Sequence, residues 1–572
     1  MLQSKFEDNW SLLSFFILLL FMGGFYQVAW QYPMTDAYPL IERLLDPSYL
    51  LNDFYTSTFR EFSPRLASAK VIVWISNTTG TDYKDVVAYG NILRIWLYGI
   101  GLYFLFLTLS DKRTALIAFS FSALSFLSMP FLPAWWPISY DLTSSNIALV
   151  SAMFAWAFAV KGMVRTSFSL LAITVYIHPI VGAQAMIICI IIYICFFGWP
   201  ALFNLFKTPT IYPFALAFSA AFFYNYFSYS QALSDERFTF INGQFRHGHH
   251  FILSHMDLEK WVSTVQMTAI CVAITIWFKR KNIEDRITMP VVYYSTFMIL
   301  LGLLFAELHP TRLMISFIPM RAFPILVPII VLAVAKLAVW QWEKSNHVNF
   351  FLLFLPFLPY NHVGLTWFIF PNHHPMTLPI IVTMAVFSLL LFSHLNWLKF
   401  TLLDNLIGIT FKKYSIGLHV LPIAIIAGII GMLKFSIYIP TLENSPEIYS
   451  WLNKNTSKQD IIVTELNAAD NQKIRLVARR AIVVSKDFPF NELFYEQWYE
   501  RYSRLYVTRD EARGNIDSLN EQQLNSLLDE FEATILVRTK PIDGDTHFEL
   551  IGETEGETAM SYIYRNKLMG AL

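Results

Sequence analysis

The stretch SLLSFFILLLFMGGFYQVAW, residues 11–30, contains no charged side chain. A helix of about 20 apolar residues is long enough to cross the hydrocarbon core of a bilayer. Lys5, Glu7 and Asp8 precede the stretch, and no small-residue cleavage site follows it. These features favour an uncleaved spanning helix over a signal peptide. We therefore predict that residues 11–30 form the first membrane span.

The composition extends this prediction along most of the chain. Of the 572 residues, 55% are hydrophobic and 15% are charged, whereas a soluble domain has about 25% charged residues. Residues 440–572 alone hold 22 Asp and Glu and 15 Lys and Arg. We predict a polytopic α-helical membrane domain over residues 1–440 and a soluble, extracytoplasmic α/β domain over 441–572. The formal net charge of zero gives no sign of a nucleic-acid partner.

The membrane domain contains a series of apolar stretches that are each close to the length of a spanning helix. Two of them, 166–178 and 348–360, are short, so the predicted total is about 11–13 transmembrane helices. The predicted spans are 11–30, 89–109, 113–131, 145–161, 166–178, 182–198, 210–229, 261–278, 288–306, 318–340, 348–360, 377–394 and 417–438.

Lys and Arg in short loops predict the orientation. The clusters SDKRT (110–114), KGMVR (161–165), FKRKNIEDR (278–286) and FKKYS (411–415) all fall on one side of this arrangement. Such loops face the cytoplasm. The N-terminus is then cytoplasmic, and the C-terminal domain and the long first outer loop, 31–88, lie outside. Most histidines also fall on the outer side, which indicates a polar site there, although histidine is tolerated at any interface.

The first outer loop carries the candidate catalytic carboxylates. Asp36 lies almost at the membrane surface, where partial desolvation would raise its pKa toward that of a useful general base. The alternative is a capping role at the start of an amphipathic helix predicted over 37–51. Asp53 is either a second carboxylate of the site or another helix cap.

Candidate anion-binding residues occur in three later outer segments. The sequence FRHGHHFILSHMD (245–257) contains Arg246, His249 and His250, whose side chains suit a phosphate. A metal site or a plain polar loop are the alternatives, and no cysteine supports metal binding. His309 and Arg312 lie in the next such loop, ELHPTR. His178 stands before a proline that stops a helix at membrane depth.

The arrangement resembles the GT-C class of membrane glycosyltransferases. In that class an acidic catalytic residue follows the first helix in a long outer loop, and PMTDAYPLIERLLDPSYLLNDF (33–54) occupies that place. The resemblance implies that Asp36 is the catalytic base and that Asp53 matches a second acidic position. The element formed by Arg246, His249, His250 and Phe251 is also similar to an R-x-x-H-H-F element of a poorly characterised bacterial membrane-protein family.

The resemblance implies an inverting glycosyltransferase in the inner membrane of a bacterium. Its partners would be a polyprenyl-phosphate donor, a glycan, lipid or protein acceptor, and the bilayer itself. It implies no redox or nucleotide cofactor and leaves a divalent cation open, because Asp36 has no acidic neighbour before Glu42. The alternatives are a transporter or flippase for an envelope lipid or glycan, and a polysaccharide polymerase or ligase.

The C-terminal domain shows helix and strand patterns in alternation. SPEIYSWLNKNTS (445–457) and IDSLNEQQLNSLLDEF (516–531) are typical of helices, and DIIVTE, AIVVS and ATILVRT of strands. The stretch 473–506 is rich in arginine and aromatic residues. It is interpreted either as a groove for an acceptor sugar or phosphate, or as a solvated surface.

The predicted orientation can be tested with reporter fusions. A reporter fused after Tyr438 should be active only outside the cytoplasm, and one fused at Lys281 only inside, because of the Lys and Arg bias of the short loops. An active cytoplasmic reporter at the C-terminus would overturn the topology and the function inferred from it.

Overall fold

The computed structural model describes residues 2–26, 38–60, 66–125, 142–207, 209–228, 232–246, 252–256, 258–357, 377–394, 447–464, 473–485, 487–489, 491–506, 516, 519–542, 547–555 and 560–567. The chain divides into two compact units. Unit 1 comprises Met1–Val28, Gly90–Asn225 and Gly248–Tyr438, and unit 2 comprises Ala29–Tyr89, Tyr226–His247 and Ile439–Leu572. The domain boundary predicted at 440/441 falls outside the described residues and stays a prediction.

Most of the described chain is α-helical. The helices are α1 (Leu2–Tyr26), α2 (Tyr38–Leu45), α3 (Phe54–Ser57), α4 (Leu66–Thr79), α5 (Tyr83–Leu109), α6 (Lys112–Ser125), α7 (Ser144–Val160), α8 (Val164–Ile177), α9 (Pro179–Phe206), α10 (Tyr212–Ser228), α11 (Asp235–Phe238), α12 (Leu258–Lys281), α13 (Thr288–Gly302), α14 (Arg312–Phe317), α15 (Phe323–Glu343), α16 (His347–Leu352), α17 (Thr377–His394), α18 (Glu447–Asn455), α19 (Tyr495–Leu505) and α20 (Glu521–Glu530). Short 3₁₀ turns occupy Thr58–Arg60, Pro209–Ile211, Leu253–His255, Pro319–Ala322, Leu355–Phe357 and Glu492–Phe494.

Several of these helices are apolar enough to lie in a membrane. In the described part of the chain, four are also long enough to cross one: Tyr83–Leu109, Pro179–Leu205, Lys260–Lys281 and Thr288–Leu308. By length and composition they make the chain an integral membrane protein. The predicted total of about 11–13 spans stays a prediction, and the span predicted at 417–438 lies outside the described residues.

Helices α7, α8 and α9 of unit 1 pack closely through small residues. A Cβ atom on Gly182 of α9 would lie 2.4 Å from the Cα atom of Val175 in α8, so only glycine allows this approach. Trp156 of α7 is buried, and its indole N–H donates to the carbonyl of Ala185 at 2.9 Å. The buried core of unit 1 extends from these helices to α1, α5, α6, α12, α13 and α15.

The C-terminal part of unit 2 contains a five-stranded mixed sheet. Its strands are β1 (Ile461–Thr464), β2 (Ala481–Ile482), β3 (Ile535–Arg538), β4 (Phe548–Glu555) and β5 (Met560–Asn566), in the order β2-β1-β3-β5-β4. Strand β1 pairs in parallel with β2 and β3, and β5 is antiparallel to β3 and β4. Ile448, Tyr449 and Leu452 of α18 belong to the buried core that includes the sheet.

The sheet confirms the three predicted strands and adds two. Strands β1, β2 and β3 lie at the predicted positions, and α18 and α20 match the predicted helices. Strand β4 was not predicted, because it is an edge strand with the sequence FELIGETE and carries little apolar periodicity.

The amphipathic helix predicted over 37–51 is shorter in the structure. Helix α2 ends at Leu45, and α3 begins at Phe54. Asp46 precedes Pro47, and a residue before proline is disfavoured in helical conformation. Leu50 then adopts a left-handed conformation with φ of 49°. The prediction of one continuous helix was therefore wrong. Of the leucines expected on its apolar side, Leu40 is buried, whereas Leu45 and Leu51 are exposed.

Unit 2 joins three stretches that are far apart in sequence. The Tyr49 hydroxyl of the first predicted outer loop donates to the carbonyl of Arg475 at 2.7 Å. Arg237 of the segment 226–247 forms an ion pair with Glu496 of α19. Contacts within unit 2 thus join the first loop, the segment 232–246 and the C-terminal domain.

Candidate functional site

Three segments of π-helix occur in the described part of the chain, at Thr239–Arg246, Leu303–Leu308 and Ile474–Ala478. The first ends at Arg246, the second directly precedes His309, and the third contains Arg475. Short π-helical segments are rare in proteins overall, and those that occur are often found at functional sites. Two of these three segments therefore coincide with outer segments that the sequence predicted to bind an anion.

The segment containing Arg475 forms a buried ion network with the first outer loop. The side chains of Arg475 and Asp53 are 1% and 0% exposed. Arg475 Nε donates to Asp53 Oδ2 at 2.8 Å, and Nη1 donates to Asp487 Oδ2 and to Ser485 Oγ, both at 2.6 Å. One guanidinium thus pairs with two carboxylates, one from the first outer loop and one from the C-terminal domain.

The charge of Arg475 is maintained in this environment. Burial acts to lower the pKa of Arg475, but the charges of Asp53 and Asp487 outweigh burial, so the pKa is raised. Removing one partner of a buried ion pair costs about 3–5 kcal/mol, because an uncompensated charge remains. The network therefore fixes residues 53–57 of the first loop against the C-terminal domain.

The sequence left two roles open for Asp53: a second carboxylate of the catalytic site, or a helix cap. Asp53 Oδ1 accepts the N–H of Thr56 at 2.9 Å and so caps α3. Oδ2 accepts the N–H of Ile482 at 3.1 Å in addition to the bond from Arg475. This geometry is that of a cap and of an ion-pair partner, while the catalytic role of Asp53 stays a prediction.

A second ion pair holds α2. Arg479 Nη2 donates to Glu42 Oε2 at 3.1 Å, and the guanidinium carbon of Arg479 lies 5.0 Å from the Tyr49 ring centroid. Glu42 Oε1 accepts the hydroxyl of Tyr83 at 2.7 Å. Asp36 itself lies outside the described residues, but α2 begins two residues after it.

The segment 232–246 is held by a different surface of the C-terminal domain. Arg237 Nε donates to both carboxylate oxygens of Glu496, at 3.1 and 2.8 Å, and Nη2 contacts Oε1 as well. The hydrogen bonds that Arg237 donates to the Glu496 carboxylate raise the pKa of Arg237. The N–H of Leu233 donates to Glu492 Oε1 at 2.7 Å. Two carboxylates four residues apart in sequence, Glu492 and Glu496, thus fix the start of this segment.

The end of this segment carries Arg246 and is packed among aromatic rings. The ring of Phe245 makes edge contacts with Tyr499 and Tyr502 of α19 at centroid distances of 4.8 and 6.0 Å. The guanidinium carbon of Arg246 lies 3.7 Å from the Phe488 ring centroid, and Nη1 donates to Asn242 Oδ1 at 3.0 Å. Arg246 is partly exposed at the end of this support.

Three predicted site residues lie in unit 1. His178 caps α9, and its Nδ1 accepts the N–H of Val181 at 3.3 Å. His309 is exposed just after the π-helix Leu303–Leu308, and Arg312 is the partly buried first residue of α14. Their role in binding phosphate stays a prediction.

Glu307 lies in the same short sequence, ELHPTR, as His309 and Arg312. The structure shows Glu307 Oε2 accepting the N–H of Leu253 at 2.9 Å, which fixes the segment that follows the histidine cluster. The predicted site residues Asp36, His249 and His250 lie outside the described residues, and their joint geometry stays a prediction. Among the described residues, no group of three His, Cys, Asp or Glu side chains could hold a metal ion.

The arginine- and aromatic-rich stretch 473–506 supplies the residues that the sequence interpretation missed. Arg475, Arg480 and Trp498 are buried, so the interpretation as a solvated surface is wrong for them. Arg475 bonds to Asp53 of the first loop and Trp498 contacts Phe245, whereas Arg480 bonds within the C-terminal domain. The unusual density of arginine and aromatic residues was the available signal, but it did not reveal which of these residues have partners in distant segments.

The ion network predicts a strong energetic coupling between the first loop and the C-terminal domain. Asp53→Asn keeps an N-cap but removes one of the two carboxylates paired with Arg475, and should destabilise unit 2 by about 1–3 kcal/mol. Arg475→Met leaves two buried carboxylates without their guanidinium and should cost about 3–5 kcal/mol. The double variant Asp53→Asn/Arg475→Met should lose clearly less than the sum of the single variants, because the Asp53 carboxylate is no longer left buried and unpaired. Denaturant unfolding of the purified protein in detergent measures both effects. Additive losses would contradict the buried pair.

Comparisons with known proteins give one short match and several distant structural neighbours. The family described as a domain of unknown function (DUF6798) matches residues 443–505, which span α18 to α19. No curated protein matches the chain. Crystal structures of the Archaeoglobus fulgidus oligosaccharyltransferase include an apo form (9% identity, TM-score 0.41) and a form tethered with an acceptor peptide (11%, 0.39). A further structure of that enzyme contains an inhibitory peptide and a dolichol-phosphate (10%, 0.41). Each similarity covers 93% of this chain and 69% of the other.

Proposed function

We propose that the chain is a GT-C-type glycosyltransferase that acts at the extracytoplasmic face of a bacterial inner membrane. It transfers a sugar from a polyprenyl-phosphate donor to a glycan, lipid or protein acceptor. One observation carries the proposal: the loop that follows Asp36, the segment that ends at Arg246 and the C-terminal domain form one compact unit. A base on the first loop and a phosphate-binding cation on the segment 232–246 can act on the same substrate only if both lie on the same side of the membrane.

The proposed reaction is a direct displacement at the anomeric carbon. Asp36 accepts the proton of an acceptor hydroxyl while the oxygen attacks the anomeric carbon. The bond between that carbon and the phosphate oxygen breaks, and polyprenyl phosphate leaves with the electron pair. The new glycosidic bond has the opposite anomeric configuration. Asp53 is assigned a supporting role in this scheme, because its carboxylate oxygens bond to Thr56, Arg475 and Ile482.

The donor phosphate requires cations to balance the charge that develops on it. We assign this task to Arg246 with His249 and His250, and to His309 and Arg312 of the next predicted outer loop in the sequence, with His178 as a further candidate. A guanidinium binds a phosphate through two parallel hydrogen bonds. The packing of Arg246 on Phe488 supports the assignment, because it pre-orients the guanidinium and so reduces the entropy lost on binding.

The role of Asp36 predicts the effect of a nearly isosteric substitution. Asp36→Asn cannot accept a proton at neutral pH, so turnover should fall by roughly 10²- to 10⁴-fold while the protein still folds. The assay is sugar transfer from a polyprenyl-phosphate sugar by the purified protein. Asp46→Asn is a matched control, because Asp46 is in the same loop and, in the described part of the chain, its side chain bonds to Ser48. Turnover near wild type in Asp36→Asn would support a capping role instead, because asparagine caps helices well.

If Arg246 binds the donor phosphate, substituting it should weaken the binding of polyprenyl phosphate and not only slow the chemical step. Arg246→Ala should weaken polyprenyl-phosphate binding by about 10- to 100-fold, because a charge-assisted hydrogen bond is lost. Arg246→Lys should restore binding only in part, since a point charge replaces a planar fork. Titration with a short-chain polyprenyl phosphate measures the affinity. Arg504→Ala on exposed α19 surface is the control. Equal affinities in all four proteins would exclude Arg246 from the phosphate site.

A further inference from the structure

We propose that the C-terminal domain positions Arg246 for the donor phosphate, and that Glu496 is the positioning residue through which it acts. This inference rests on the proposed function, because it assigns a role in the same phosphate site. Glu496 lies on α19 and contacts the segment 232–246, but it does not contact the substrate in this scheme. Its effect is transmitted through Arg237 and the π-helix that ends at Arg246.

The ion pair between Arg237 and Glu496, referred to below as the latch, joins the segment 232–246 to the C-terminal domain. The guanidinium forms paired hydrogen bonds with the carboxylate, and its carbon also lies 4.6 Å from the Tyr499 ring centroid. Paired Arg–carboxylate bonds fix direction as well as distance. Ser234, three residues before Arg237, is the N-cap of α11, and its side chain accepts the N–H of Arg237 at 3.2 Å. The backbone and the side chain of Arg237 are thus both fixed.

The π-helix carries this restraint from Arg237 to Arg246. Phe240 and Phe245 both contact the ring of Tyr499, at centroid distances of 5.4 and 4.8 Å. The same face of α19 that carries Glu496 therefore supports the whole π-helix Thr239–Arg246. If this ion pair is lost, the segment keeps the bond from Leu233 to Glu492 and the aromatic contacts, but loses the paired bonds that fix Arg237.

The latch is separate from the contacts that hold the first outer loop. That loop is fixed by Arg475 and Arg479, which lie before α19 in the chain and pair with Asp53, Asp487 and Glu42 rather than with Glu496. Removing the latch should therefore loosen the Arg246 segment while the first loop stays in place. This separation distinguishes a positioning role from a general loss of folding.

The experiment compares Glu496→Ala with a charge-exchanged pair in the full-length protein. Amide hydrogen exchange across 232–246 reports whether the segment is loosened, and titration with a short-chain polyprenyl phosphate reports binding. Glu496→Ala should raise exchange in 232–246, leave 38–60 unchanged, and weaken lipid-phosphate binding by about three- to tenfold. The double variant Arg237→Glu/Glu496→Arg should restore both. Glu530→Ala is the matched control, because it removes the other ion pair of α19, with Arg504.

The two measurements separate the failure of this inference from the failure of the proposed function. Unchanged exchange in 232–246 would overturn the latch, whatever the lipid binding. Raised exchange with unchanged affinity would overturn the positioning role. A wild-type protein that does not bind polyprenyl phosphate, with raised exchange in Glu496→Ala, would overturn the proposed donor and, with it, the phosphate role of the latch. If Glu496→Ala fails to fold, Arg237→Lys replaces it and should give the same pattern more weakly.

Discussion

The fully buried ion network around Arg475 is the interaction on which the arrangement of unit 2 depends. Arg475 in the C-terminal domain bonds to Asp53 in the first outer loop, more than 400 residues away in sequence. Burying a charged arginine is costly unless partners compensate for the lost hydration. Two carboxylates and the Ser485 hydroxyl provide this compensation. The loop and the domain are therefore coupled, because either one alone would leave charges buried and unpaired.

The C-terminal domain thus serves as the common support of two loops. The Arg475 and Arg479 contacts fix the first loop, and α19 fixes the segment that ends at Arg246. In the proposed reaction, the first loop supplies the base and the second supplies the phosphate-binding cation. Displacement at a carbon requires the base and the leaving group to be held in a defined geometry, and small displacements cost much of the rate. In the proposed reaction, the C-terminal domain is the rigid support that maintains the geometry between the base and the leaving group.

Much of the fold was predictable from the sequence, and much of the support for the site was not. Apolar runs give the helices, because length and composition alone decide whether a segment is stable in lipid. Three strands of the C-terminal sheet follow from β-branched runs, whereas the acidic edge strand β4 has no such signal. The partners of Asp53 could not be predicted, because an ion pair between residues 53 and 475 depends on how distant segments pack. For the same reason, the sequence could not decide whether the arginine-rich stretch 473–506 forms a groove or a solvated surface.

Photo-crosslinking with a polyprenyl phosphate that carries a reactive group beside the phosphate tests the central claim most directly. The account predicts that crosslinked peptides come from the outer segments around Arg246, His249 and His250 and around His309 and Arg312. It also predicts that excess unlabelled lipid phosphate suppresses these crosslinks. Crosslinks confined to the opposite loops, 110–114 and 278–286, would place the lipid phosphate on the other membrane side and contradict the proposed site.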